Sequence, residues 1–165
     1  MVIQSRCKEA TFMAVSALAA AKRACQKSGW KLSNLELQKL IYIAHMLHLG
    51  RTSQPLIEGR FQAWDYGPVH PELYHEAKVF GRAPVKNIFF HVDDIADGSD
   101  EAEIIDSVVI GLKDASPGEL VAVTHWHEGA WAKHYQPAVR GCVIPNSDIL
   151  AEYNRRTMHG THRSA

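Results

Sequence analysis

Residues 32–50 read LSNLELQKLIYIAHMLHLG, and the fold class turns on them. Ser33 sits where a helix N-cap belongs, and Glu36, three residues on, can reach back to the Ser33 amide to complete a capping box. Leu32 and Leu37 occupy the positions of a hydrophobic staple. Leu37, Leu40, Ile41, Ala44 and Leu47 then recur at helical spacing, and Gly50 is expected to close the element. With both ends and one face specified, this helix is the element on which the rest of the chain is expected to pack.

Upstream, residues 7–28 are expected to form a first helix, with Phe12, Val15, Leu18 and several alanines facing the core and Gly29 ending it. Downstream, EGRFQAWD (58–65) is too short and too aromatic for a helix and reads as a strand, stopped by a Gly67-Pro68 turn. Pro71 opens a helix to Phe80, with Gly81 as terminator. Residues 82–99 read as loop, with a brief extended piece at VKNIFFHV (85–92). A fourth helix starts near Ser99, where Asp100, Glu101 and Glu103 complement the helix dipole. Ser116-Pro117-Gly118-Glu119 is a second capping box, opening a helix to about His127. A turn follows around Trp131, RGCVI (140–144) reads as a second strand, and Asn146 or Ser147 caps a last helix through Tyr153. The expected fold is mainly α: one compact domain over residues 1–156, six to seven helices with a two-stranded accessory sheet, and a disordered tail over 157–165.

Composition narrows the function classes. A formal net charge of zero over 165 residues supplies no long-range field toward nucleic acid or an anionic membrane. The three cysteines, Cys7, Cys25 and Cys142, form no CxxC pair and are expected to be buried and inert, which suits a reducing, cytoplasmic setting. RCKEATFMAVSALAAAKRA (6–24) imitates a signal peptide, but Glu9 interrupts its basic region and the run is alanine-rich, so secretion is not expected. No stretch approaches the roughly 18 apolar residues of a membrane span.

Among the ten histidines, His125, His127 and His134 raise the possibility of a metal-dependent hydrolase. On a helix, residues two apart diverge by about 200°, so His125 and His127 face one ion only where the helix has ended. His45 and His48 can share a helix face, but no HExxH accompanies them. There is no GxSxG elbow, P-loop or GxGxxG fingerprint either, so neither catalysis nor a cofactor or metal is expected. A second rival, a transcriptional regulator of its own operon, is disfavoured by the charge balance. What remains prominent is aromatic punctuation: Trp64, Tyr66 and Tyr74 around one tight turn, Trp126 and Trp131 around another. Trp64 and Tyr66 are expected to be substantially buried as a structural corner. Phe89 and Phe90 cannot both face one core in extended backbone, so either one is an exposed partner anchor or an irregular turn buries both.

Four segments taken in order, 32–50, then PLIEGRFQAWDYGPVHPELYHEAKVFG (55–81), GELVAVTHWHEGAWAKHY (118–135) and IPNSDILAEY (144–153), resemble the Panacea domain, the family of SocA-like antitoxins and phage-associated proteins. The resemblance rests on Leu37, Gln38, Lys39, Leu40, Tyr42 and Ala44, then on Phe61, Ala63, Trp64, Tyr66, Gly67, Pro68, Val69, Pro71 and Tyr74, and finally on Thr124, His125 and Trp131. One departure is Ala130, where the family often has proline directly before the late tryptophan, so that turn is expected to differ. The resemblance implies an antitoxin of a type II toxin–antitoxin system that binds and neutralises a cognate protein toxin. It also implies a proteolytic adaptor that delivers the toxin to ClpXP. The shared motif residues are then framework or partner-binding rather than catalytic. The loop over 82–97, with Phe89, Phe90 and His91, is the candidate toxin-binding surface.

Overall fold

The computed structural model describes residues 13–161. Its first helix, α1 (Ala17–Lys27), begins where the Ser16 hydroxyl accepts the Ala19 amide at 3.0 Å, rather than near Cys7. The serine decides the boundary, because it offers the first-turn amides an acceptor that an alanine run cannot. Just before it, Val15 is extended and exchanges backbone bonds with Leu56 and Glu58 (2.9 and 2.8 Å) in a parallel bridge to Ile57. Residues 7–12 of the expected helix, Phe12 included, lie outside the described residues. Ala17, Ala20, Ala21 and Ala24 are buried and let α1 pack against α2 (Asn34–Thr52) and α4 (Asp100–Gly111).

α2 is the hub. α1, α3 (Pro71–Ala77), α4, α5 (Pro117–Thr124) and α7 (Asn146–Thr161) all pack on it, and thirteen of its 19 residues are buried. It is therefore a core helix covered on every side, not the one-faced helix its leucine stripe suggests. Leu47 in that stripe is half-buried, whereas Gln38, Lys39, His45 and His48 are buried. Ser33 caps it by accepting the Glu36 amide (3.3 Å), but its hydroxyl also donates to the Glu36 carboxylate (2.9 Å), which takes the place of the expected bond to the Ser33 amide. The box at Ser116 and Glu119 is complete. Gly50 does not end α2, which runs to Thr52 and stops at Ser53 in left-handed backbone (φ 58°). Gly50 is instead a packing site: a Cβ there would lie 2.2 Å from the Tyr153 ring of α7.

The sheet has three strands, not two: β1 (Phe61–Trp64), β2 (Gly67–Val69) and β3 (Val143–Ile144), antiparallel in the order β2-β1-β3. The segment read as a Gly67-Pro68 turn is the edge strand β2, with Pro68 opposite Ala63, and the turn itself is Asp65-Tyr66. An edge strand tolerates a proline because its missing N–H is not needed by a further neighbour. Residues 85–92 form no strand; Val85 donates to the Leu32 carbonyl (2.8 Å) beside an isolated Ser33–Pro84 bridge. α5 ends at Thr124, short of His127, and the expected turn around Trp131 is a short helix, α6 (Ala130–His134). α7 continues past residue 157 to Thr161, correcting the expected disordered tail over that stretch; no proline interrupts it, and Arg156 ties its middle to Glu152. The mainly α architecture with a small accessory sheet is as expected, and among the described residues no helix is long and apolar enough to cross a membrane.

Candidate functional site

Two neighbouring residues of α2 hold the hairpin in place. Gln38 Oε1 accepts the His70 amide (2.8 Å) while Nε2 donates to the His70 carbonyl (3.3 Å). Lys39, fully buried, donates from Nζ to the Pro68 carbonyl at 2.9 Å. It has no carboxylate partner among the described residues, and burial pushes its pKa down to about 7. Gly67 is the residue this arrangement demands: its φ is +105°, and a Cβ would sit 2.9 Å from Lys39 Cε and 3.0 Å from Thr124 Oγ1.

The late motif residues brace the same hairpin from behind. Thr124 is buried at the end of α5, and the His125 ring lies flat on Trp131 (3.8 Å between centroids, 5° between planes). Trp131 stacks in turn on Tyr135 and donates from Nε1 to the Trp64 carbonyl at 2.8 Å. Burial, then the nearby Lys39 charge, lowers the His125 pKa. Tyr42 meets Phe61 edge-on (5.1 Å) and donates to Glu152 Oε2 at 2.7 Å. Glu152 is fully buried and also receives Arg156 and the Ala130 amide (3.0 Å). A proline at position 130 has no N–H to offer, so alanine at this position adds a bond to Glu152.

The three histidines of the hydrolase alternative have separate partners. His125 is committed to Trp131, His134 bonds Asp148 at 2.6 Å, and His127 is exposed beside Trp126. Among the described residues no group of three or more histidine, cysteine or acidic side chains is placed to hold a metal ion. Cys25 is buried and its thiol is pushed up to about 12 by burial, Cys142 is only half-buried, and Cys7 lies outside the described residues.

In front of the hairpin the first turns of α2, Trp64 to Tyr66, Val69, Tyr74 and residues 138–140 enclose a cleft of about 520 Å3. Trp64 is half-buried there, edge-on to Tyr74 at 4.7 Å, with its Nε1 on Gln62 Oε1. Tyr66, expected to be buried, is 71% exposed: as a residue of a two-residue hairpin loop it has no strand partner to turn it inward. Asn34 and Arg140, which sequence reading did not single out, also line this cleft. Arg140 carried no local signal, because only the return of the chain toward β3 brings it over Trp64 (5.7 Å).

A second exposed feature is the turn from Phe89 to Val92, closed by the Val92 amide on the Phe89 carbonyl at 2.9 Å. Phe89 is fully buried and its amide is capped by Asn87 Oδ1, while Phe90 is 81% exposed and His91 is exposed beside it. Lys22 of α1 straps the turn down, donating to the Val92 carbonyl (2.7 Å) and pairing with Asp94 (2.8 Å). One phenylalanine thus goes in and its neighbour out, on a turn rather than a strand.

Comparison with known proteins places this architecture. The model of the family described as antitoxin SocA-like, Panacea domain, matches residues 37–132, from the first turn of α2 to Ala132 in α6. Antitoxin SocA of Caulobacter vibrioides (strain NA1000 / CB15N) is 36% identical over 109 residues, 61% of this chain and 58% of that protein. The chain therefore matches less than two thirds of that relative's length. No solved structure matches. With more than half of its length under the family model and the motif residues gathered around one hairpin, the chain belongs to the SocA-like antitoxin, Panacea domain family.

Proposed function

We propose that this protein is an antitoxin that neutralises a cognate protein toxin by binding it directly, without catalysis, in the cytoplasm. Its family membership supports the class of activity, and the exposed Phe90 supports the mode. A large ring held clear of the surface on a strapped turn meets a partner with little ordering cost, which is how aromatic anchors contribute to binding. Phe90 and His91 form the contact, while Phe89 below them belongs to the core. Delivery of the bound toxin to ClpXP is the further role that the family likeness suggests.

Co-expression with the product of the adjacent reading frame tests this reading. Phe90→Ser is expected to abolish rescue of growth and co-purification while leaving the melting temperature near wild type. Full rescue by a folded Phe90→Ser protein would remove the turn from the interface. Failure of the wild-type chain to co-purify with that product would refute the pairing itself. For the adaptor role, toxin half-life should lengthen in cells lacking ClpXP, and an unchanged half-life would exclude it.

A further inference from the structure

The cleft in front of the hairpin has a volume suited to a small ligand or a few residues of peptide. Part of its wall is apolar and aromatic, with Leu35, Val69, Trp64 and Tyr74 inside. What it leaves free follows from a chain of hydrogen bonds. The His70 amide can only donate, so the Gln38 atom 2.8 Å away is Oε1, and Nε2 is the atom directed at Asn34, 3.5 Å from its side chain. Asn34 then presents Oδ1 to Gln38, which leaves its Nδ2 donors without a partner among the described residues, on a residue only 7% exposed that lines the cleft. The Arg140 guanidinium over Trp64 likewise has no acceptor, and the Tyr66 and Tyr74 hydroxyls make no hydrogen bond to the described protein.

Among the acceptors of the lining, Gln38 Oε1 takes the His70 amide and Asp65 Oδ1 takes the Tyr135 hydroxyl at 2.7 Å, while Asp65 Oδ2, at the exposed rim of the cleft, stays open to solvent and can pair with Arg140 only at the expense of an incoming anion. Lys39 Nζ, also in the lining, donates to the Pro68 carbonyl. Unused donors beside aromatic surface, with one unpaired guanidinium, are complementary to an anion that carries an apolar group.

We propose that this cleft binds the C-terminal residue of a polypeptide, its carboxylate on Asn34 Nδ2 and Arg140 and its large apolar side chain against Trp64 and Tyr74. The cleft is roomier than one residue requires, so the preceding residues of the peptide lie along it. The site is separate from the Phe90 turn and does not depend on the toxin reading.

The test is a titration of 15N-labelled protein, following the Trp64 indole N–H, assigned by loss of that signal in Trp64→Phe. The probes are an acetylated tetrapeptide Gly-Ser-Ala-Phe with a free carboxylate, the same peptide as its C-terminal amide, and N-acetylphenylalanine. The free acid should shift the Trp64 signal and bind about tenfold or more tighter than the amide, a charge-assisted bond being the difference. Arg140→Gln, at an exposed position, should weaken the acid about tenfold and leave the amide unchanged. Asn34→Asp keeps an oxygen for Gln38 but replaces the donors with negative charge, and should abolish binding of the acid. Equal affinity for acid and amide, or an acid that binds Arg140→Gln and Asn34→Asp as it binds wild type, would overturn the site. Equal affinity for the tetrapeptide and N-acetylphenylalanine would overturn its assignment to a chain terminus.

Discussion

Lys39 carries an amino group into the core with one carbonyl as its partner, and its pKa falls from 10.5 to about 7 because burial disfavours the charge. Between those values the unfolded chain binds more protons than the folded one, so this lysine makes the protein more stable as pH rises from 7 to 10.5, and its full cost is present below pH 7. Urea midpoints of the wild type should therefore climb between pH 7 and pH 9 relative to Lys39→Met, and the variant should be the more stable of the two at pH 6. Parallel pH profiles would show that the amine stays charged at no cost. His45 is governed by the same sign in a lower window. Burial pushes it down to about 4, and the Ile57 amide, 3.4 Å from Nδ1, fits only a neutral ring that donates from Nε2 to Asn146. The stability this ring contributes is complete above pH 6.5 and is lost as pH falls toward 4, about 3 kcal/mol across the window. Acid titration of unfolding should show that slope in wild type and a flatter one in His45→Gln.

Helix interiors show where propensity and packing disagree. Alanine at position 50 is favoured over glycine by about 1 kcal/mol in an exposed helix. Here the added methyl would meet the Tyr153 ring at 2.2 Å and push α7 off α2. Gly50→Ala is expected to destabilise by about 1–3 kcal/mol, the range for an overfilled core. Combining it with Tyr153→Ala should remove most of that extra cost in a double-mutant cycle, and strict additivity of the two would show that the ring moves aside freely. α6 offers the complementary case. Ala130 is the first residue of that helix, a position proline suits, yet its amide donates to buried Glu152. Ala130→Pro should cost about 1–3 kcal/mol by thermal melt, the range for a buried charged acceptor that loses a donor.

For the molecule as a whole, His125 and His134 are held against separate partners, and among the described residues no group of three or more histidine, cysteine or acidic side chains is placed to hold a metal ion. Treatment with a chelator is expected to leave the melting temperature unchanged, whereas a structural metal would make it drop. The two phenylalanines of the strapped turn should separate folding from binding. Phe89→Ser is expected to cost about 3–5 kcal/mol, as for a fully buried ring, and Phe90→Ser within about 0.5 kcal/mol of nothing. Comparable losses in both would mean that the exposed ring packs on the body of the protein.

What the sequence determined by itself was whatever a few neighbouring residues decide among themselves. Ser33 and Ser116 start their helices because a hydroxyl three residues upstream can reach an amide, and Pro71 opens α3. Which of Phe89 and Phe90 goes inside was left open, and the fold decides it. Only the tertiary structure decided the roles that need residues far apart in the chain. Gly50 looked like a terminator until Tyr153 lay over it, and β2 looked like a turn until β1 paired with it. Tyr66 looked like a core ring until the hairpin left it without cover. The candidate cleft is of the second kind: Gln38, Trp64 and Tyr74 stand out in sequence, but Arg140 joins Asn34 in its lining only once the return toward β3 closes over Trp64. Caps and alternation act over one turn of chain, whereas burial and unpaired donors depend on what the folded chain brings alongside, and no local pattern encodes that.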